Sequence, residues 1–158
     1  MPTAIEVAQY IVKQFQEQED LITNLKLQKL LYYVQGWHLG LTGQRAFEGE
    51  FKAWVHGPVN TAVYHEFRDY RWNPITRDMP DVSLPDQLKA HVDAVLQVYG
   101  GDTGWSLEQR THTELPWLEA RGDLAPDEEC RVTIKESTME RFFAEQARDD
   151  EEDTEARA

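Results

Sequence analysis

A single cysteine, Cys130, stands in 158 residues, so no disulfide can form within the chain. That usage fits a reducing compartment. Basic residues are outnumbered: 16 Lys and Arg face 29 Asp and Glu, a formal net charge of −13. Such a surface repels phosphate backbones, which argues against nucleic-acid binding and suits a basic protein partner. Long apolar runs are missing as well. Lys, Gln or Gly interrupts each one before it could cross a bilayer. The opening "MPTAIEVAQY" carries neither the basic nor the apolar region of a signal peptide. The expectation is a soluble, cytoplasmic protein without a membrane partner.

Several signatures of chemistry are also absent. There is no GxxxxGK[ST] loop, no GxGxxG, no GxSxG elbow and no CxxC pair. "GGDTG" (100–104) is a turn cluster without the lysine that phosphates favour. What remains is globular. Hydrophobic residues make up 41% and aromatic residues 11%, enough to build one core at this length.

Periodicity organises most of the chain into helices. Thr3 and Glu6 form a capping-box pattern, and Ile5, Ala8, Val12 and Phe15 recur at helical spacing to Gln18. A second helix covers about Asn24–Thr42. Leu27, Leu30, Leu31, Val34, Trp37, His38 and Leu41 share its apolar face, Lys26, Gln28, Lys29 and Gln35 lie largely off it, and Gly43 suits its end. Gly36 inside that stripe costs roughly 1 kcal/mol against Ala and so marks the close approach of another helix. "RAFEGEFKAWV" (45–55) alternates like one or two short strands. "HGPVN" turns the chain, and either Pro58 or Asn60 opens a helix to about Tyr70. A proline-rich loop leads to a cap at Ser83 with Asp86 and a helix ending at Tyr99. Short helices follow at about Trp105–Thr113 and after Pro116, then a short strand in "CRVTI" (130–134). Ser137 and Glu140 resemble a capping box for a last helix to about Ala147. The fold class is mainly α: one compact helical domain, 1–147, of about six helices, with a small β element near residues 45–55. The acidic end, 148–158, reads as a disordered, solvated tail.

Candidates for chemistry are sparse. His38, His56, His65, His91, His112 and Cys130 show no metal-ligand spacing, and neither a metal nor a cofactor is expected. In "WVHGPV", Gly57 permits a bend and Pro58 fixes φ, so His56 suits the holding of a corner better than catalysis. His112, beside "ELPW", has the same reading. Tyr32 and Tyr33 point about 100° apart on a helix, so at most one faces the core centre and the other is a candidate for a partner surface.

Three stretches taken together are more specific: "NLKLQKLLYYVQGWHLGLTGQRAF", then "FKAWVHGPVNTAVYHEF", then "LEQRTHTELPWLEAR". In order and spacing they resemble the Panacea (SocA-like) domain, a phage-associated family. The likeness covers about residues 3–145, with shared motifs at Lys26–Tyr33, Ala53–Val59 and Thr111–Trp117. His56 stands where many relatives carry an aromatic residue before the Gly-Pro, which weakens a catalytic role for it.

The resemblance implies an antitoxin of a type II toxin–antitoxin system that neutralises a co-encoded toxin by direct binding. It also implies an alternative, an adaptor that delivers the toxin to an AAA+ protease. A third reading is a hydrolase that reverses a toxin's modification, centred on His56, His112 and Glu114, and it requires those groups to share one cleft. For the binding reading, the expected partner surface is Lys26, Lys29, Tyr32, Tyr33 and Trp37, on condition that at least one of these aromatics is exposed.

Overall fold

A computed structural model describes residues 1–157. Among them are seven α-helices: α1 (Ala4–Glu17), α2 (Asn24–Thr42), α3 (Thr61–Phe67), α4 (Asp86–Tyr99), α5 (Gly104–Thr111), α6 (Leu115–Arg121) and α7 (Glu136–Arg157). A two-stranded antiparallel sheet, β1 (Lys52–Trp54) and β2 (Gly57–Val59), lies between α2 and α3 in the chain. Its register pairs Lys52 with Val59 and Trp54 with Gly57. The chain is mainly α with a small sheet, as its periodicity predicts.

Helix α2 is the axle. Helices α1, α3, α4, α5 and α7 and strand β2 all pack on it. Leu27, Leu30, Leu31, Tyr32, Tyr33 and Val34 are completely buried. A helix covered on every side has no solvent stripe, so its polar residues must find partners inside the protein. Helix α1 starts at the Thr3–Glu6 capping box, with both reciprocal bonds formed. Thr23 caps α2 by accepting from the Lys26 N–H, and Gly43 ends it in the left-handed region at φ 74°.

The contact between α2 and α7 explains two glycines. A methyl group at Gly36 would lie 2.1 Å from the Phe143 ring, and one at Gly40 would lie 2.7 Å from the α7 backbone at Phe143 and Ala144. The missing side chains let α7 settle into α2, where Phe143 meets Tyr32, Tyr33 and Trp37 edge-on or tilted. Burying that one phenylalanine is worth roughly 2–3 kcal/mol.

Several local expectations shift. Pro58 sits in β2, and Asn60 is the residue that caps α3, through its side-chain oxygen and the Val63 N–H. Helix α4 begins after Pro85 without a side-chain cap from Ser83. Ser137 lies inside α7 rather than at its cap. Leu41, placed on the core face from its spacing, is 59% exposed because the last turn of α2 reaches the surface. Helix α7 continues past Ala147 to Arg157, and every side chain from Arg148 to Arg157 is exposed. Among the described residues no helix is long and apolar enough to cross a membrane.

Candidate functional site

The three shared motifs meet around one corner of the molecule. Lys29, on α2, is completely buried and points at the hairpin, where its Nζ donates to the Pro58 carbonyl at 2.9 Å. Gly57, at φ 104°, allows this approach. A methyl group there would lie 2.6 Å from Lys29 Cε and 2.8 Å from Thr111 Oγ1. Burial lowers the Lys29 ammonium to about 7, although the Glu108 carboxylate opposes the shift.

Gln28 and Asn24 extend the same lock. The Gln28 side-chain oxygen accepts from the Asn60 N–H at 2.8 Å, and its amide nitrogen donates to Asn24 Oδ1. Asn24 then donates to the Tyr64 carbonyl of α3. Two turns further along α2, Gln35 accepts from the Ala46 N–H and donates to the Phe47 carbonyl. Gln28, Lys29 and Gln35 thus satisfy backbone groups at Asn60, Pro58, Ala46 and Phe47 that lie inside the protein, away from water.

The "THTELPW" segment closes the other side. Thr111 donates to the Glu108 carbonyl, and Glu108 in turn faces His56 Nδ1 at 3.0 Å. His112 stacks on Trp117, with ring centroids 4.0 Å apart, and burial lowers its pKa first among several causes. The Trp117 indole donates to the Trp54 carbonyl, and Arg121 donates to the Ala53 carbonyl. Glu114 accepts from the Tyr33 hydroxyl at 3.1 Å. Burial raises the Glu114 carboxyl to about 7, against the pull of Tyr33, Tyr32 and Arg110. Burial, and then the Glu114 carboxylate, drive both tyrosine phenols upward. The Tyr32 hydroxyl, Glu114 Oε1 and His112 Nε2 are buried without a hydrogen-bond partner.

This geometry revises the expected partner surface. Lys29, Tyr32 and Tyr33 are fully buried and offer nothing to a partner in this conformation. The physical reason is that α2 is central: its second face is covered by the hairpin and α7 instead of water. Lys26 and Trp37 keep partial exposure, though both are engaged. Lys26 donates to the Gly100 carbonyl and lies over Phe15, and Trp37 donates to the Tyr99 hydroxyl.

The hydrolase reading required His56, His112 and Glu114 in one cleft. His56 lines a cleft of about 500 Å³ together with Lys52, Trp54, Val55, Thr61, His65, Glu129, Cys130 and Arg131, and neither His112 nor Glu114 borders it. Instead His112 lies flat on Trp117, and Glu114 turns inward to the α2 tyrosines. Among the described residues no three His, Cys, Asp or Glu side chains gather as a metal would need. Sequence reasoning missed the cleft itself. Its signal was present in Trp54, which alternates with buried Ala53 along β1.

Comparison with known proteins agrees with the motif geometry. The family described as "Antitoxin SocA-like, Panacea domain" matches residues 27–118, which span most of α2, the hairpin, α5 and the first half of α6. "Antitoxin SocA" of Caulobacter vibrioides (strain NA1000 / CB15N) is 48% identical over 46 residues, 29% of this chain and 24% of that protein. The matched stretch therefore spans about a quarter of that relative's length. No solved structure matches. With more than half of its length matched, the chain belongs to the Antitoxin SocA-like, Panacea domain family.

Proposed function

We propose that this protein is the antitoxin of a type II toxin–antitoxin pair and neutralises its toxin by direct binding. The observation that carries the reading is the assignment of the motif side chains to the interior. Lys29, Gln28 and Trp117 spend their polar atoms on the chain's own backbone, and Glu114 accepts from a tyrosine. The family's shared residues then build a rigid platform rather than a reaction centre, and recognition falls to the surface that the platform presents. The net charge of −13 steers it toward a basic partner. Lys26 and Trp37, the two members of the expected surface that keep solvent access, are its proposed contacts.

The test is co-expression with the product of the adjacent open reading frame, scored by growth and by co-purification. Rescue of growth together with a stable one-step complex is expected. Rescue without a complex would overturn direct binding and favour delivery of the toxin to a protease.

A further inference from the structure

Residues 131–134 run antiparallel beside β1 and extend the two-stranded sheet by a single bridge. The Ala53 N–H donates to the Val132 carbonyl at 2.9 Å, the Ile134 N–H donates to the Phe51 carbonyl at 2.8 Å, and Lys52 pairs with Thr133 between them. In an antiparallel ladder this pattern turns the N–H and C=O of the intervening residue outward. Neither backbone group of Thr133 takes a hydrogen bond from any described residue. The sheet therefore ends on an unpaired edge, with Val132 half exposed upon it.

Two features beside this edge bear on what would cover it. Lys52 and Trp54 lie on one face of β1, and that face carries the cleft of about 500 Å³ reaching Arg131 on the edge strand and His65 on α3. Its floor is apolar, from Trp54, Val55 and Cys130. Its rim holds Lys52, His56, His65, Glu129 and Arg131; Lys52 faces Glu50, His56 faces Glu108 and Arg131 faces Glu129, while His65 has no acidic partner among the described residues. Proteins normally blunt such edges or use them for strand addition, where main-chain bonds give affinity and pockets for alternate side chains give specificity.

We propose that the Arg131–Ile134 edge and the Trp54 cleft form a docking site for an extended segment of the toxin, which adds as a further strand. That segment alternates in character: an apolar side chain enters the Trp54 cleft, where an acceptor meets the unpaired His65, and the intervening side chain covers Val132. The assignment rests on the antitoxin reading above and adds a second contact, apart from Lys26 and Trp37, through which it operates.

The experiment is hydrogen–deuterium exchange on this chain alone and in complex with the adjacent gene product, with affinities measured for two variants. Thr133→Pro removes the outward donor while leaving both bonds to β1, and Arg131→Glu reverses a rim charge without touching the ladder. The Thr133 amide is expected to exchange freely in the isolated chain and to become protected in the complex. Thr133→Pro is expected to weaken binding by about tenfold or more, and Arg131→Glu to weaken it in the same direction. A complex that leaves residues 131–134 unprotected and binds both variants at wild-type strength would overturn the docking site and leave the antitoxin reading standing. Failure to form any complex would overturn both.

Discussion

Lys29 and Pro58 are joined by a hydrogen bond sealed from solvent: a lysine from the middle of the central helix donates to the carbonyl of a strand proline 29 positions later. A buried ammonium is costly unless bonded, so the pair ties the shape of the hairpin to the protonation of one side chain.

Stability should therefore bend with pH around neutrality. Folded Lys29 titrates near 7, below its ordinary 10.5, so between those values the unfolded chain binds the extra proton and stability rises with pH. Folded Glu114 also titrates near 7, above its ordinary 4.5, so between those values the folded chain holds the extra proton and stability falls as pH rises. Urea midpoints measured across this range should show Lys29→Met flattening the alkaline arm and Glu114→Gln flattening the acid arm. Parallel curves for variant and wild type would refute the assignment.

Gly57→Ala should destabilise the protein by about 2–3 kcal/mol, because the added methyl meets Lys29 and Thr111 and the backbone stands at positive φ. Chemical denaturation reads this directly. The double variant Gly57→Ala with Thr111→Ser keeps most of the loss, since the Oγ position and the φ strain remain.

Gly36→Ala and Gly40→Ala should part company in a double-mutant cycle. At Gly36 the obstacle is the Phe143 ring, so Phe143→Leu recovers part of the lost stability. At Gly40 the obstacle is the α7 backbone, so the same second change recovers nothing. Both readouts are unfolding free energies.

His56→Ala should leave neutralisation of the toxin intact in the growth assay. Its imidazole is exposed and faces Glu108 at the edge of the Trp54 cleft, and it is not one of the groups assigned to the docked segment. Loss of rescue by a folded His56→Ala protein would revive a chemical role for that residue.

The helices could be read from the sequence because their information is local. Thr3 with Glu6, Gly43 and the Leu27–Val34 spacing mark α1 and α2 without help from the rest of the chain. Gly36 also carried its meaning in the sequence: a helix glycine on an apolar stripe marks a close neighbour. The inner polar residues could not be read that way. Gln28, Lys29 and Gln35 look like solvent-facing residues by type, and what buries them is backbone at Asn60, Pro58 and Phe47, brought near only by the complete fold. Tyr32 and Tyr33 failed for a related reason. Opposite faces of a helix imply one surface only when a single side of the helix is covered, and α2 is covered on both. The extent of α7 was hidden because its last turns bury nothing, and residue pattern reports burial more readily than helicity.

The position of α7 bears on where this protein can be cut. Residues 27–118 begin inside α2 and stop inside α6, so a fragment trimmed to them loses Thr23 as cap, all of α1, and the Phe143 side chain that fills the hollow at Gly36. Tyr32, Tyr33 and Leu30 would then meet water along the length of the axle. The matched segment is a lineage marker and not an autonomous unit: expressed by itself it should aggregate, and any minimal version of this chain has to carry the first helix and at least the first half of the last.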